Sequence, residues 1–224
     1  MLQALFTPTD PVHETINQHF KETQRFFKTN KSTQHAFVYD QVVSLGEILS
    51  TTIVSAYLNN QGVTNTWLDV RSCIKTDAYF REAVVNWDTT NKAIKQNVAL
   101  NTITLTQGFL GADQTNNFTT TLGREGSDYT AAIFAYCLQA ETVTIWKDVP
   151  GVLNADPNVF KQTTLLKQIS YQEAIELAFY GASVIHPKTL QPLQRKEIPL
   201  FVKSFDAPEA PGTCVAKGNT IVPY

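Results

Sequence analysis

Strand-like and helical segments alternate along this chain of 224 residues. Runs rich in β-branched residues predict strands near 63–70, 101–107, 142–146, 199–204 and 213–215, and apolar residues at helical spacing predict helices near 11–28, 34–59, 87–98, 127–138, 170–181 and 187–195. The segment 109–121, with its Gly and Asn-Asn positions, predicts a hairpin or loop. This alternation predicts an α/β fold, a three-layer α/β/α sandwich with a mostly parallel central sheet. In such sheets, ligands bind beyond the carboxyl ends of the strands.

The composition is that of an ordinary folded domain and argues against several classes of protein. Hydrophobic residues make up 43% and charged residues 17%, which excludes a disordered chain. The net charge is −2 and Lys and Arg are dispersed, so we expect no nucleic-acid partner. The apolar runs are short and interrupted, and the first ten residues lack a secretory signal, so we expect no membrane partner and a cytoplasmic location. Cys73, Cys137 and Cys214 lack metal-ligand spacing and are predicted to be buried thiols.

One candidate for chemistry is the segment Thr119–Asp128, with the sequence T-T-T-L-G-R-E-G-S-D. Its two glycines permit a close approach of the backbone to a ligand, and the helix predicted after it presents N–H groups and a positive dipole end. Arg124 is suited to bind a carboxylate or phosphate through two parallel hydrogen bonds. From these residues alone, an ordinary helix cap is an open alternative.

Further polar residues occupy positions where a site or a structural role is equally open. Lys147 and Asp148 end a predicted strand before a Pro-Gly turn, which fits a nucleotide site or a simple polar turn. Glu47 lies inside an apolar helical stretch, either as the buried partner of a cation or on the exposed face. His186 precedes Pro187 at a predicted helix start, where packing or capping is the usual role.

Taken together, these segments resemble the aspartate kinases of the amino-acid kinase superfamily. The resemblance runs from about Asp40 to Val215, and its most specific segment is Thr120–Ala132, T-T-L-G-R-E-G-S-D-Y-T-A-A. The other matching segments are Val43–Glu47, Trp67–Arg71, Lys75–Asp77, Thr106–Phe109, Ile145–Gly151, Ala155–Pro157, Gly181–Pro187 and Ala210–Thr213. We therefore expect one partial amino-acid kinase domain over 1–224, with a helical, aspartate-side part to about residue 100 and a nucleotide-binding part from about 101.

The resemblance implies phosphorylation by ATP of the side-chain carboxylate of L-aspartate, which gives 4-phospho-L-aspartate and ADP. This reaction is the first committed step towards lysine, threonine and methionine. Arg124 would bind the α-carboxylate of aspartate, assisted by Ser127 and the backbone at Gly126. Glu47 would bind the α-ammonium, and Phe109 would add a backbone contact.

The resemblance also assigns the phosphate side of the site. Arg124 and Asp128 would be the catalytic residues, with Asp128 organising the active-site cations. Mg²⁺ would bridge the phosphates, and no protein ligand to a metal is assigned. The nucleotide-binding residues would be Lys147, Asp148, Leu153, Asn158, Ser183 and Val184.

The chain departs from the family pattern on the nucleotide side. Lys147 stands where a threonine is usual, and Leu153, Asn158 and Ser183 replace a tyrosine, an arginine and a lysine. Two cations are thereby lost, of which Lys147 would restore one and Lys188 another. The opening strand and its K-F-G-G-T-S-type loop, whose lysine contacts the transferring group, are expected upstream of Met1. The chain alone is therefore expected to be a fragment with little or no turnover.

Two alternatives to a working aspartate kinase stay open from the sequence. One is a non-catalytic, degenerate module that binds an amino acid or a nucleotide. The other is the kinase half of a bifunctional aspartate kinase/homoserine dehydrogenase. In the full-length protein we expect a homo-oligomer, whereas feedback inhibitors do not follow from these residues.

Overall fold

The structure, a computed structural model, describes residues 2–181 and 184–218. The chain divides into two compact units, residues 1–127 and 128–224. Four of the six strand pairings in the described ranges are parallel, and two are antiparallel. Helices and strands alternate, so the expected mixed α/β class with mostly parallel sheets is confirmed.

Six helical segments and five strands begin within the described residues of the first unit, and the last of these helices continues past its end. They are α1 (Leu2–Leu5), α2 (Val12–Thr29), α3 (His35–Asn60), β1 (Asn65–Leu68), a 3-10 turn (Val70–Ser72), β2 (Lys75–Thr76), α4 (Trp87–Asn97), β3 (Ile103–Thr106), β4 (Leu110–Asp113), β5 (Thr119–Thr121) and α5 (Gly126–Leu138). β1 pairs with β3, and β2 with β4, in parallel. β4 and β5 are antiparallel, which confirms the predicted hairpin over 109–121.

Helix α3 is the main helix of the first unit and carries a polar stripe toward the sheets. Asp40, Ser44 and Ser55 on it are buried, and its other side packs through Leu49 and Ile53 on the first helices. Within the described part of the chain, α3 alone is long and apolar enough to cross a membrane by length and composition. A helix in the core of a folded protein can have the same length and composition. The hydrogen bond from β5 to the buried Asp40 shows that one side of α3 packs on a sheet of this unit.

The second unit is built around a four-stranded sheet in the order β6-β8-β9-β7. Its remaining elements are β6 (Val143–Lys147), β7 (Gln168–Ser170), α6 (Tyr171–Phe179), α7 (Pro187–Lys196), β8 (Leu200–Ser204) and β9 (Thr213–Ala216). The apolar core includes Ile145, Leu190, Leu193 and Val202. Because β6 and β8 are parallel and in register at their carboxyl ends, Lys147 lies beside Ser204.

The starts of two helices in the second unit follow from local side-chain chemistry. Ser170 and Glu173 form a capping box at the start of α6. Pro187 is at the first position of α7, where its missing N–H costs nothing. The predicted strand 63–70 is shorter than expected, because the chain turns into the 3-10 segment at Val70.

Candidate active site

Glu47 lies on the face of α3 that is tied to two strand ends. Asp40, seven residues earlier and therefore on the same helix face, accepts a hydrogen bond of 2.8 Å from the N–H of Thr121 at the end of β5. Thr51, one turn later, accepts one of 2.9 Å from Nε2 of Gln107, just after β3. Thr51 also donates to the carbonyl oxygen of Glu47 at 2.8 Å. The carboxyl group of Glu47 therefore projects from a helix whose position is fixed from both sides.

The carboxyl group of Glu47 has the electrostatics of a group prepared for a cation. The residue is half-buried, and burial raises its pKa. No hydrogen bond or ion pair to this carboxyl group is made by any residue that the structure describes. A half-buried, unpartnered carboxylate costs stability, and a ligand ammonium group would reverse that cost.

We expect Glu47→Gln to raise the Tm of the ligand-free protein at neutral pH. The pKa of Glu47 is higher in the folded chain, so the stability that its protonation contributes is present below the unfolded pKa and lost as pH rises through the folded pKa. Glutamine removes the charge, and a gain of ~1 kcal/mol would raise Tm by about 2–4 °C in a chain of this size. Thermal unfolding followed by circular dichroism measures it, with the exposed Glu209→Gln as control. A lower Tm for Glu47→Gln would contradict this interpretation.

Two glycines bring the end of β3 against the start of α5. A Cβ at Gly108 would lie 2.7 Å from Oγ of Ser127, and a Cβ at Gly126 would lie 2.6 Å from the ring of Phe109. Phe109 itself has a φ of 68°, in the left-handed region, and its carbonyl accepts the N–H of Leu122 at 2.8 Å. Both positions need glycine because the neighbouring groups leave no room for a side chain. Three of the predicted substrate residues, Phe109, Gly126 and Ser127, are thus brought together.

Arg124 lies in the turn between β5 and α5, and its side chain extends away from the described residues without bonding to them. Its side chain is exposed, and no described residue forms a hydrogen bond or ion pair with it. The turn around it is fixed by the N–H of Gly126, which donates to the carbonyl of Gly123 at 3.1 Å. The exposed hydroxyl of Ser127 is likewise unbonded to described residues. A fixed backbone therefore presents a guanidinium and a hydroxyl that are available to a ligand.

In the second unit, Lys147 and Asp128 form an ion pair. Nζ of Lys147 is 2.8 Å from Oδ2 of Asp128, and the side chains are 23% and 14% exposed. Lys147 is the last residue of β6, and Asp128 is in the first turn of α5. The pair places an ammonium group beside a carboxylate at the carboxyl end of a parallel strand, where α/β sheets bind ligands.

The segment after β6 is held by Thr213, the first residue of β9. The N–H of Val152 donates to Oγ1 of Thr213 at 2.8 Å, and a Cβ at Gly151 would lie 2.5 Å from the same oxygen. Asp148 is exposed before this anchor. Leu153 follows it and lines a cavity of about 310 Å³ together with Leu166, Ile169, Leu177 and Tyr180. Five of its eight lining residues are thus apolar or aromatic, and the other three are Asn154, Glu173 and Glu176.

The other predicted nucleotide residues have varied surroundings. Asn158 is exposed, and its Nδ2 donates to Oδ1 of Asp156 at 3.0 Å. Val184 packs against the core of the second unit. Ser183 lies outside the described residues.

His186 and Lys188 have roles that geometry makes plain. Nδ1 of His186 accepts a hydrogen bond of 3.1 Å from the N–H of Lys188. His186 therefore caps α7, which is one of the two usual roles expected from the sequence. The ammonium group of Lys188 lies 4.8 Å from the ring centroid of Tyr129, in a cation–π contact.

Comparison with known proteins identifies the family. The sequence model of the amino acid kinase family matches residues 9–204. The chain belongs to the amino acid kinase family. Lysine-sensitive aspartokinase 3 of Escherichia coli (strain K12) is 40% identical over 183 residues, which are 79% of this chain and 40% of that protein. Aspartokinase 1, chloroplastic, of Arabidopsis thaliana is 37% identical over 185 residues, 80% of this chain and 32% of the relative.

Solved structures agree with this assignment to the amino acid kinase family. The E. coli aspartokinase III in complex with aspartate and ADP (R-state) is similar with a TM-score of 0.88 and 34% identity, covering 99% of this chain and 49% of that chain. UMP kinase from Bacillus anthracis, at 15% identity and a TM-score of 0.57, shares the fold alone. The chain therefore spans less than half the length of the aspartokinases that it matches.

No metal cage is formed by those residues of this amino acid kinase domain that the structure describes. Over the described ranges, no group of three or more His, Cys, Asp or Glu side chains could hold a metal ion. Asp128, the carboxylate expected to organise cations, is ion-paired with Lys147.

Two important residues of this domain were not singled out from the sequence. Asp40 is completely buried and bonds to β5, and Thr213 is completely buried and bonds to Val152. The signal for Asp40 was present as a stripe of polar residues at helical spacing, from Asp40 through Glu47 to Ser55, in an otherwise apolar helix. No local pattern marks Thr213, because its partner is distant in sequence.

Proposed function

We propose that this chain is the catalytic part of an aspartate kinase that binds L-aspartate and ATP. The observation that carries the proposal is the pair of opposite charges, Glu47 and Arg124, which no described residue neutralises. A half-buried carboxylate and a guanidinium on a fixed turn are complementary to the α-ammonium and α-carboxylate of an amino acid. Ser127, packed beside Gly108, adds a hydroxyl to the carboxylate end.

In the proposed reaction, the side-chain carboxylate of aspartate is the nucleophile. One of its oxygens forms a bond to the γ-phosphorus of ATP, and the bond from that phosphorus to the β,γ-bridging oxygen breaks, releasing ADP. No general base is required, because the carboxylate is already deprotonated at neutral pH. Catalysis then depends on alignment and on compensation of the charge on the phosphoryl oxygens.

On the nucleotide side, Lys147 is the cation proposed to meet the phosphates. Its ion pair with Asp128 fixes the ammonium group at the end of β6. Asp148 follows directly, and the cavity beside Leu153 is proposed to receive the base. Mg²⁺, when bound with ATP, would offset phosphate charge.

The relatives support the substrate assignment. The similar E. coli structure is described as a complex with aspartate and ADP, and similar proteins include aspartokinases of bacteria and plants. We also propose a place in the biosynthesis of lysine, threonine and methionine, a cytoplasmic location, and a homo-oligomer in the full-length protein. The bifunctional aspartokinase/homoserine dehydrogenase of Buchnera aphidicola, at 35% identity over 180 residues, keeps a downstream dehydrogenase open as a second function.

A non-catalytic binding module is the other candidate, and one observation favours it. Asn158 replaces an expected arginine, and its amide is bonded to Asp156. Such a module would bind aspartate without phosphorylating it.

Calorimetric titration of the chain with ligands tests the proposed binding. We expect saturable binding of L-aspartate, and weaker binding of succinate, which lacks the ammonium, and of β-alanine, which lacks the α-carboxylate. Loss of a charge-assisted contact should weaken each analogue about 10- to 100-fold. Equal affinities for all three ligands, or no binding by folded protein, would contradict the assignment.

A further inference from the structure

Asp40 is a buried carboxylate that joins three segments of the first unit. Its side chain is completely buried. Oδ2 accepts hydrogen bonds from the N–H of Arg81 at 2.9 Å and of Thr121 at 2.8 Å. Oδ1 accepts a bond of 2.9 Å from the hydroxyl of Thr121. Helix α3, the loop at Arg81 and the end of β5 therefore meet at one group.

The bonds to Thr121 fix the start of the turn that carries Arg124. The carbonyl of Thr121 accepts the N–H of Ala83 at 2.9 Å, and the next residue, Leu122, donates to Phe109 at 2.8 Å. Gly123, with a φ of 78°, comes so close to the carbonyl of Arg81 that a Cβ would lie 3.2 Å from it. The backbone that leads to Arg124 is therefore held by hydrogen bonds at Thr121 and Leu122.

The loop at Arg81 is held in an uncommon conformation by the same carboxylate. Arg81 has a φ of 75°, a region that side-chain-bearing residues seldom occupy. Its N–H is bonded to Asp40, and its guanidinium lies 4.8 Å from the ring centroid of Tyr39 on α3. Strain of this kind persists where surrounding contacts determine it, often beside functional sites.

Asp40 is connected to Glu47, the other proposed charged contact of the ligand, through helix α3. Glu47 lies seven residues further along α3, on the same face, at a rise of roughly 10 Å. Since α3 is also bonded to Gln107 through Thr51, the helix cannot shift without breaking these contacts. Asp40 therefore links the backbone that carries Glu47 to the backbone that carries Arg124, beside Gln41, whose side-chain amide bonds to the N–H and the carbonyl of Thr119 in β5.

A buried carboxylate is an expensive way to hold three segments together. Burial raises the pKa of Asp40, and the hydrogen bonds from Arg81 and Thr121 only partly oppose that rise. Local rules broken in this way are concentrated at functional sites.

We propose that Asp40 is a positioning residue that sets the separation between Glu47 and Arg124, and so selects ligands that carry both an ammonium and a carboxylate. The inference rests on the proposed aspartate site. A change at Asp40 should therefore weaken the binding of ligands that contact both Glu47 and Arg124 more than the binding of ligands that contact one of them.

The test compares Asp40→Asn with Asp113→Asn by calorimetric titration. Asp113 is a matched control, because it is buried and accepts the N–H groups of Thr115, Asn116 and Phe118, but it closes the hairpin between β4 and β5. Both variants should lower Tm. We expect only Asp40→Asn to weaken L-aspartate binding by about 10-fold or more, the range for one disturbed charge-assisted contact, and to change succinate and β-alanine binding less than threefold.

A milder pair of variants covers the case in which Asp40→Asn does not fold. Thr121→Val removes the hydroxyl that donates to Asp40, whereas Thr120→Val removes a buried hydroxyl that is 2.8 Å from Oγ1 of Thr76. We expect Thr121→Val alone to weaken L-aspartate binding, by about threefold or more. Amide hydrogen exchange over residues 119–126 should rise in Asp40→Asn and Thr121→Val but not in Thr120→Val.

The outcomes separate the inference from the proposed function. If the unaltered chain binds no L-aspartate, both are overturned. If it binds L-aspartate, but Asp40→Asn and Thr121→Val weaken this binding no more than their controls, the positioning role is overturned and the proposed function stands. If succinate and β-alanine lose as much affinity as L-aspartate, Asp40 supports the structure without setting the separation.

Discussion

Replacing Arg124 by alanine is expected to weaken binding of L-aspartate by about 10- to 100-fold, the equivalent of one charge-assisted contact of ~1.5–3 kcal/mol. The free energy of unfolding should change by less than about 0.5 kcal/mol, since the side chain is exposed and bonds to no described residue. Calorimetric titration and thermal unfolding of the same variant measure both quantities. A large loss of affinity without a loss of stability is the signature of a residue that serves a ligand.

Two controls show whether Arg124 binds the α-carboxylate in particular. β-Alanine lacks that group, so its affinity should be the same for the unaltered chain and for Arg124→Ala. Arg124→Lys keeps the charge but not the planar fork, and should lose about 10-fold for L-aspartate. If Arg124→Ala weakens β-alanine and L-aspartate equally, the residue does not bind the α-carboxylate.

Replacing Lys147 by alanine is expected to weaken ADP and ATP binding by about 10-fold or more. The ammonium group is at the carboxyl end of β6 and is held by Asp128 at 2.8 Å. Its removal takes a cation from the proposed phosphate site and breaks the ion pair of the largely buried Asp128 carboxylate. Repulsion between Asp128 and the phosphates would then add to the lost attraction. Titration with ADP, with and without Mg²⁺, measures the change.

A matched lysine in the same unit provides the control for Lys147. Nζ of Lys217 is 2.6 Å from Oε1 of Glu197, but the two side chains are 73% and 58% exposed. Lys217→Ala should leave ADP affinity unchanged, as expected for a solvated surface pair. Lys147→Arg should retain most of the affinity. An ADP affinity in Lys147→Ala equal to that of the unaltered chain would show that Lys147 does not replace the lost cations.

The helices were predictable from sequence, whereas the short strands were not. Apolar spacing gives α2 and α3 to within about a residue at each end, because a long helix repeats that spacing over many turns. β2 has two residues and β7 three, too few for a recognisable period. Their positions depend on partners far away in the chain, as β7 depends on β9.

The candidate site was predictable as residue types but not as contacts. The motif around Arg124 predicts a turn that binds a carboxylate or phosphate, or an ordinary helix cap, and the structure adds that the guanidinium bonds to no described residue. The ion pair between Lys147 and Asp128 joins two segments that no local pattern connects. The role of Asp40 depends on three hydrogen bonds that exist only once α3 packs on β5. Tertiary packing, rather than residue identity, decides such pairings.

The most direct measurement is trapping of the acyl phosphate with hydroxylamine in the presence of ATP, Mg²⁺ and L-aspartate. It is made on this chain and on a longer form that carries a K-F-G-G-T-S-type segment at its N-terminus. We expect the longer form to give aspartyl hydroxamate in a 1:1 ratio with ADP, and Arg124→Ala and Lys147→Ala to reduce its yield. A longer form that is folded, binds both ligands and forms no hydroxamate would contradict the kinase assignment and leave a binding module.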